Sequence, residues 1–230
     1  MHIAYCAIKV FYRIHGHPHY IDFIPRPKVP YRIPEVLDES EIQAILSICR
    51  TLRHKMFFTL IYSSGLRISE ALNLKMGDID ILRNVIYVRP SKNMKDRYTV
   101  LSAKALSMLK HYIDRFKPES YLFFSLSDKS RRMNKRYAQH VFKNLAEAAK
   151  IRKKVHVHTL RHSFATHLLE HQTNIFFIMK LLGHSSIRTT ALYLHMQRLD
   201  KLNIKSPLDL SDITLDDFET TSPQSSLHIA

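Results

Sequence analysis

Three short stretches of this 230-residue chain hold side chains whose types and spacing suit chemistry on an anion. "GLRISEALNL" (65–74) sets Arg67 and Glu70 three residues apart. That is one helical turn, so the acid can hold the arginine's orientation. "HTLRHSFATHLLEHQ" (158–172) carries four histidines and Arg161 among positions that otherwise read as apolar core. In "LLGHSSIRTTALYLH" (181–195), His184 follows Gly183, and Tyr193 stands nine residues beyond that histidine, after a Ser/Thr-rich turn.

The histidine-rich stretch admits three readings. His158 and His162 lie one turn apart, as metal ligands can. A metal needs convergent donors, however, and the neighbours Arg161, Lys153 and Lys154 are cations, with Glu170 the nearby carboxylate. A solvated basic face conflicts with Leu160, Phe164, Ala165, Leu168 and Leu169, which surround the polar groups. The third reading is a cluster built to hold a phosphate. A guanidinium fork matches two phosphate oxygens and never loses its charge. Arg67 is a second such group, expected at a helix start where backbone N–H groups also favour anions. Taken singly, each element has a plainer reading. Arg67–Glu70 would be a surface ion pair, Tyr193 a core aromatic, and "IMKLLGHSSIRTT" a helix-turn-helix reader of DNA.

These residues need elements to position them, and the pattern supplies mostly helices. Ile3, Ala7, Val10, Phe11 and Ile14 form one apolar face that ends by Gly16. "HPHYIDFIPRPKVPYRIP" follows, with Pro25, Pro27, Pro30 and Pro34 marking an extended linker. "LDESEIQAILSICR" opens a helix with Asp38 as N-cap and Glu41 three residues on. "KMFFTLIYSS" is a second helix, stopped by Gly65, and "LRISEALNL" starts a third. The period then changes, and "NVIYVRP" and "RYTVLS" read as a hairpin around "SKNMKD". Helical patterns return over 103–117, 134–150, 158–171 and 174–182, the last closed by Gly183. The expected body is mainly α with one small antiparallel sheet.

Bulk composition narrows the partners. The net charge of +15 and pI of 9.9 point to a polyanion, either nucleic acid or an anionic membrane surface. Residues 207–230 hold five acids and no Lys or Arg, so the rest of the chain is more basic still. Two cysteines without C-x-x-C spacing suit a reducing cytosol, and the expected location is cytoplasmic. No apolar run approaches membrane-spanning length, and Lys9 and Arg13 interrupt the start where a signal peptide is unbroken. Only four glycines occur, no two of them close, so neither a P-loop nor a dinucleotide fingerprint is present. No nucleotide or nicotinamide cofactor is therefore expected.

The three stretches, in this order in one basic chain, resemble the tyrosine recombinases: phage integrases, Xer-type recombinases and integron integrases. The resemblance covers roughly residues 32–205. It implies a mixed, mainly helical catalytic domain with a small antiparallel sheet. It further implies cleavage and rejoining of double-stranded DNA through a 3′-phosphotyrosyl intermediate, with no metal, ATP or small-molecule substrate. Carried onto this sequence, Tyr193 matches the nucleophile, Arg67 and Arg161 the phosphate-clamping arginines, His158 and His184 the flanking histidines, and Glu70 the acid that steadies the first arginine. The family's general acid is a lysine in the hairpin turn. "RPSKNMKDRYTVL" offers Lys92, favoured by position, and Lys95, while Asn93 and Met94 stand where the family turn usually has glycine. The resemblance also implies a homo-oligomer, a tetramer in the synapse on DNA. Two other readings stand beside this one: a type IB topoisomerase-like enzyme relaxing DNA, and a non-catalytic remnant competing for recombination sites.

The expected domains are 1–33, a last helix of an N-terminal DNA-clamping domain plus linker; 34–205, the catalytic domain; and 206–230, an acidic, flexible tail. Leu208, Leu210, Ile213, Leu215 and Phe218 would let that tail dock on a neighbouring protomer, whereas its acids would let it shield the DNA-binding face. The charge distribution generates a first prediction. DNA affinity should fall steeply with salt, with a log–log slope of about −0.9 for each neutralised phosphate. A salt titration of binding checks it, and an affinity indifferent to salt contradicts it.

Overall fold

The computed structural model describes residues 2–25, 27, 34–89 and 96–197. The chain divides into two compact units, Met1–Pro34 and Glu35–Ala230. In the first, α1 (His2–Ile14) is followed by a 3-10 turn over Pro18–Ile21. The extended linker expected from Gly16 onward therefore begins with a helical turn, where Pro18 supplies the fixed φ that an N-terminal position favours. Ile3, Val10, Phe11 and Ile14 of the α1 face are exposed, and Ile21 is buried.

The second unit starts with α2 (Glu39–Ile48). Its N-terminus is fastened by the Glu41 carboxylate, which accepts the Asp38 N–H at 2.7 Å. Lys153 Nζ donates to the same carboxylate at 2.6 Å and to the Val36 carbonyl at 2.9 Å. α3 (Leu52–Ser64) buries Met56, Phe57, Phe58, Leu60 and Ile61 together with the polar Arg53 and Ser64, which marks a helix enclosed by others. Phe57 and Phe58 are fully buried there, edge-on to Phe123 and against Phe142. Around α3 pack α5 (Ala103–Phe116) and α7 (Val157–Glu170), while α6 (Lys135–Ala148) packs on α2. Surface helices α5 and α6 begin with Ser102 and Asn134, whose side chains accept first-turn N–H groups.

α4 (Ile68–Asn73) leads into a sheet of three antiparallel strands, not the two of a simple hairpin. The added strand, β1 (Ile79–Asp80), is two residues long and has no alternating pattern to betray it. β2 (Val85–Val88) pairs with β3 (Arg97–Val100) in the register Val85↔Val100 to Val88↔Arg97. Thr99 donates to the Ser64 carbonyl at 2.7 Å and so pins β3 to the end of α3. Residues 90–95, with Lys92 and Lys95, and the tail beyond 197 lie outside the described residues.

The chain then runs through α8 (Ile175–Leu182), closed by Gly183, to α9 (Ile187–Ala191). The Ser/Thr-rich stretch is thus a short helix capped by Ser186 and not a turn. Ser and Thr favour turns by bonding to backbone, and Ser186 spends that ability on the Arg188 N–H at the helix start. Tyr193 follows in a 3-10 segment, Leu192–Met196. A small second core of Phe164, Ala165, Leu169, Ile178, Leu182 and Tyr193 joins these last elements to α7.

Gly65 is where the two cores meet. It ends α3 at φ +62°, and a Cβ there would stand 2.4 Å from Phe164 Cδ1. Both the backbone and the space demand glycine. Gly65→Ala should destabilise the fold by about 2 kcal/mol or more, from strain and overpacking together. Urea unfolding should show a lower midpoint at unchanged slope, and an unchanged midpoint contradicts the packing described.

Candidate active site

Glu70 lies in the first turn of α4, its side chain only 5% exposed. Its carboxylate accepts from the Arg67 N–H at 2.7 Å and from Arg67 Nη1 at 2.8 Å. Arg97 on β3 then grips it with two parallel bonds, Nη1 to Oε1 and Nη2 to Oε2, each 2.8 Å. Arg161 Nη1 stands 3.6 Å away. Burial pushes the Glu70 carboxyl up, but the Arg97 bonds and charge, the Arg67 N–H and the Arg161 charge outweigh it and bring it to about 2. Three guanidinium charges thus face one carboxylate, leaving a net of two positive charges in a mostly dry place. Such a place favours an anion.

Arg161, on α7, is 1% exposed. Its Nη1 donates to the Gly65 carbonyl at 2.7 Å and Nη2 to the Leu182 carbonyl at 2.6 Å. Both carbonyls end helices closed by left-handed glycines, where last-turn C=O groups are unpaired. Burial and the nearby Arg67 lower the Arg161 pKa to about 9, so it remains a cation at neutral pH. Arg161 Nη2 also lies 3.2 Å from His184 Nε2, and His184 Nδ1 lies 2.9 Å from Thr190 Oγ1. An arginine can only donate, so Nε2 is the acceptor and Nδ1 carries the proton. Burial, with Arg161, Arg67 and Arg97, holds His184 near a pKa of about 4 and therefore neutral.

His158 is neutral for the same reason, its pKa lowered to about 4 by burial and by Arg161. It shares with Arg67, Ser69, Lys135 and His156 a pocket of about 280 Å³. Its ring meets the His162 ring edge to face at 4.6 Å. Among the described residues, no three His, Cys, Asp or Glu side chains are grouped as a metal ion would require.

Tyr193 is 3% exposed, and its ring lies nearly parallel to His184, the centroids 6.2 Å apart. Its hydroxyl is 3.3 Å from His162 Nδ1. Burial raises the hydroxyl's pKa, and the Arg161 charge offsets part of that rise.

The sequence-predicted residues Arg67, Glu70, His158, Arg161, His184 and Tyr193 therefore converge, although they come from α4, α7, α9's approach and the 3-10 segment. Lys92, the hairpin acid of the sequence reading, lies outside the described residues. Two neighbours were missed. Arg97, 8% exposed in its side chain, completes the Glu70 cluster and also donates from Nε to the Leu181 carbonyl at 2.7 Å. Its signal was a charge at the start of a strand whose partner position, Val88, is buried. His162 enters the sequence pattern only as a metal partner for His158, one turn away.

Comparison with known proteins adds to this geometry. Residues 35–199 match the profile described as the Phage integrase family. The chain is similar to a putative integrase/recombinase of Sinorhizobium fredii, with 36% identity over 214 residues, covering 91% of this chain and 84% of that one. It is 36% identical over 192 residues to the tyrosine recombinase XerA of Thermococcus onnurineus, covering 81% and 67%. Among solved structures it resembles a XerA recombinase crystal structure, with TM-score 0.68 and 30% identity over 86% of this chain and 71% of that one. It also resembles XerH site-specific recombinase bound to its palindromic difH substrate in a post-cleavage complex, with TM-score 0.65 and 25% identity over 74% and 52%.

The Glu70 cluster makes a prediction about stability. Glu70→Gln leaves three guanidinium groups without their shared carboxylate and should cost about 3–5 kcal/mol at neutral pH. Glu70 is depressed from 4.5 to about 2, so its contribution is present above pH 4.5 and is lost as pH falls toward 2. Denaturant unfolding of both proteins should show their gap narrowing across that window. A gap constant with pH contradicts the ionised role of Glu70.

Proposed function

Because the chain belongs to the Phage integrase family and is a tyrosine-type site-specific recombinase, we propose that it cuts and rejoins duplex DNA through a 3′-phosphotyrosyl bond at Tyr193. The observation that carries this reading is the convergence of a buried tyrosine, two neutral histidines and a net-positive arginine cluster. XerH and a Tn1549 transposon integrase are relatives in fold whose structures hold DNA. The same partner suits the basic charge of this chain.

In this mechanism Arg67 and Arg161 hold the nonbridging oxygens of the scissile phosphate. Both are already fixed, Arg67 by Glu70 and Arg161 by two helix-end carbonyls. Fixed donors stabilise the charge of a phosphorane-like transition state without first having to reorganise. His184, which accepts from Arg161 through Nε2, helps to orient that arginine, and His158 lines the pocket beside Arg67. The arginines supply the electrostatic stabilisation that metals provide in other phosphoryl transfers, so neither metal nor nucleotide is required. The departing 5′ oxygen takes its proton from the hairpin lysine, Lys92 in preference to Lys95. The phosphotyrosyl bond conserves the energy of the broken phosphodiester, and rejoining needs no ATP. Strand exchange between two duplexes calls for a tetramer of this chain on DNA.

Tyr193→Phe tests the reading. The variant should form no covalent DNA adduct on nicked duplexes while binding DNA nearly as tightly as the parent, because the hydroxyl makes the bond but adds little to groove contact. Adduct formation and mobility shift measure the two. An adduct that persists in the variant moves the nucleophile elsewhere, with Tyr98 and Tyr137 as exposed candidates.

A further inference from the structure

Tyr193 must lose a proton as its oxygen bonds to phosphorus, and an acceptor has to stand within hydrogen-bond reach of that oxygen. His184 cannot serve, because its Nε2 is taken up by Arg161 and its Nδ1 by Thr190. His158 faces the pocket beside Arg67. His162 is different. Its Nδ1 is 3.3 Å from the Tyr193 hydroxyl, and the two rings lie 5.7 Å apart at 50°.

The surroundings fit that part. Burial first, and then the neighbouring His158, His156, Arg161 and His184, lower the His162 pKa to about 3 and leave the ring neutral. These are the titratable groups facing it from α7, from the start of that helix and from the segment before α9; Tyr193 faces it from the 3-10 segment. A neutral ring has one free lone pair, and a proton on Nε2 leaves Nδ1 to accept.

We propose that His162 is the proton acceptor for Tyr193 in strand cleavage and the proton donor to it in rejoining. This rests on the reading of Tyr193 as nucleophile. In cleavage the Tyr193 O–H bond breaks, its proton passes to His162 Nδ1, and the oxygen bonds to phosphorus. The bond from phosphorus to the 5′ oxygen breaks, and that oxygen is protonated by the hairpin lysine. Rejoining reverses each transfer: the 5′ hydroxyl yields its proton to the lysine, and the departing Tyr193 oxygen recovers its own from His162. Nothing else is consumed. A free phenol would not yield to so weak a base, but the oxygen's hold on its proton collapses as it bonds to phosphorus. The phosphate brought in by Arg161 also raises the basicity of the ring.

The test is single-turnover adduct formation on a pool of nicked duplexes with randomised arms, using His162→Asn, His162→Ala, His158→Asn and Tyr193→Phe. Asparagine keeps a hydrogen-bond acceptor but no basicity, so a residue that only orients the hydroxyl survives the change. His162→Asn should slow adduct formation by about 10²–10⁴-fold without loss of DNA affinity. A sulfur in place of the bridging 5′ oxygen, which leaves without a proton, should not restore it. Added imidazole should restore His162→Ala in proportion to its concentration. A rate for His162→Asn within about threefold of the parent overturns the inference, as does rescue by sulfur or a large loss confined to His158→Asn. If the parent chain itself forms no adduct, or Tyr193→Phe forms one, the nucleophile reading has failed and this inference falls with it.

Discussion

One carboxylate holds the site together. Glu70 receives hydrogen bonds from two guanidinium groups and lies close to a third, and these come from α4, β3 and α7. Buried cations repel one another and lose their hydration, and without a shared counter-charge the three could not be held in one small volume. The tether also joins elements that are far apart in sequence. Arg97 reaches from the hairpin both to Glu70 and to the Leu181 carbonyl, and its Cδ fills the space a side chain on Gly183 would need. The sheet, the arginine helix and the segment leading to Tyr193 are therefore fixed by the same few bonds.

That arrangement sets its own electrostatics. The cations exceed their counter-charge, and the same field together with burial keeps His158, His162 and His184 uncharged. A neutral imidazole can accept a proton, and an imidazolium cannot. Surplus positive charge and available bases are thus one design, seen once from the arginines and once from the histidines. Arg161 illustrates its cost. A fully buried cation is stabilised here by two helix-end carbonyls that would otherwise lack partners, so two structural deficits offset each other.

Much of this was legible in the sequence because it is local. The i, i+3 spacing of Arg67 and Glu70, the glycines closing α3 and α8, and the apolar positions around Arg161 each follow from helix geometry. What could not be read was contact across the fold. Nothing local marks Arg97, since only the β2–β3 register and the approach of α8 bring it under Glu70. His162 read as one of four histidines on a helix, and its meeting with Tyr193 depends on how the last 3-10 segment packs on α7. β1 escaped notice because two residues cannot show a period, and the Ser186 cap turned an expected turn into α9.

The central claim is that the cluster organised by Glu70 and Arg161 directs a DNA phosphate to Tyr193. Its most direct test is to trap the parent chain on nicked duplex DNA, digest the DNA and the protein, and locate the remaining nucleotide by tandem mass spectrometry. The account predicts a 3′-phosphonucleotide on the tyrosine of the peptide TTALYLHMQR, residues 189–198. A modification found on Tyr98 or Tyr137 instead, or a DNA-bound chain carrying none, would contradict it.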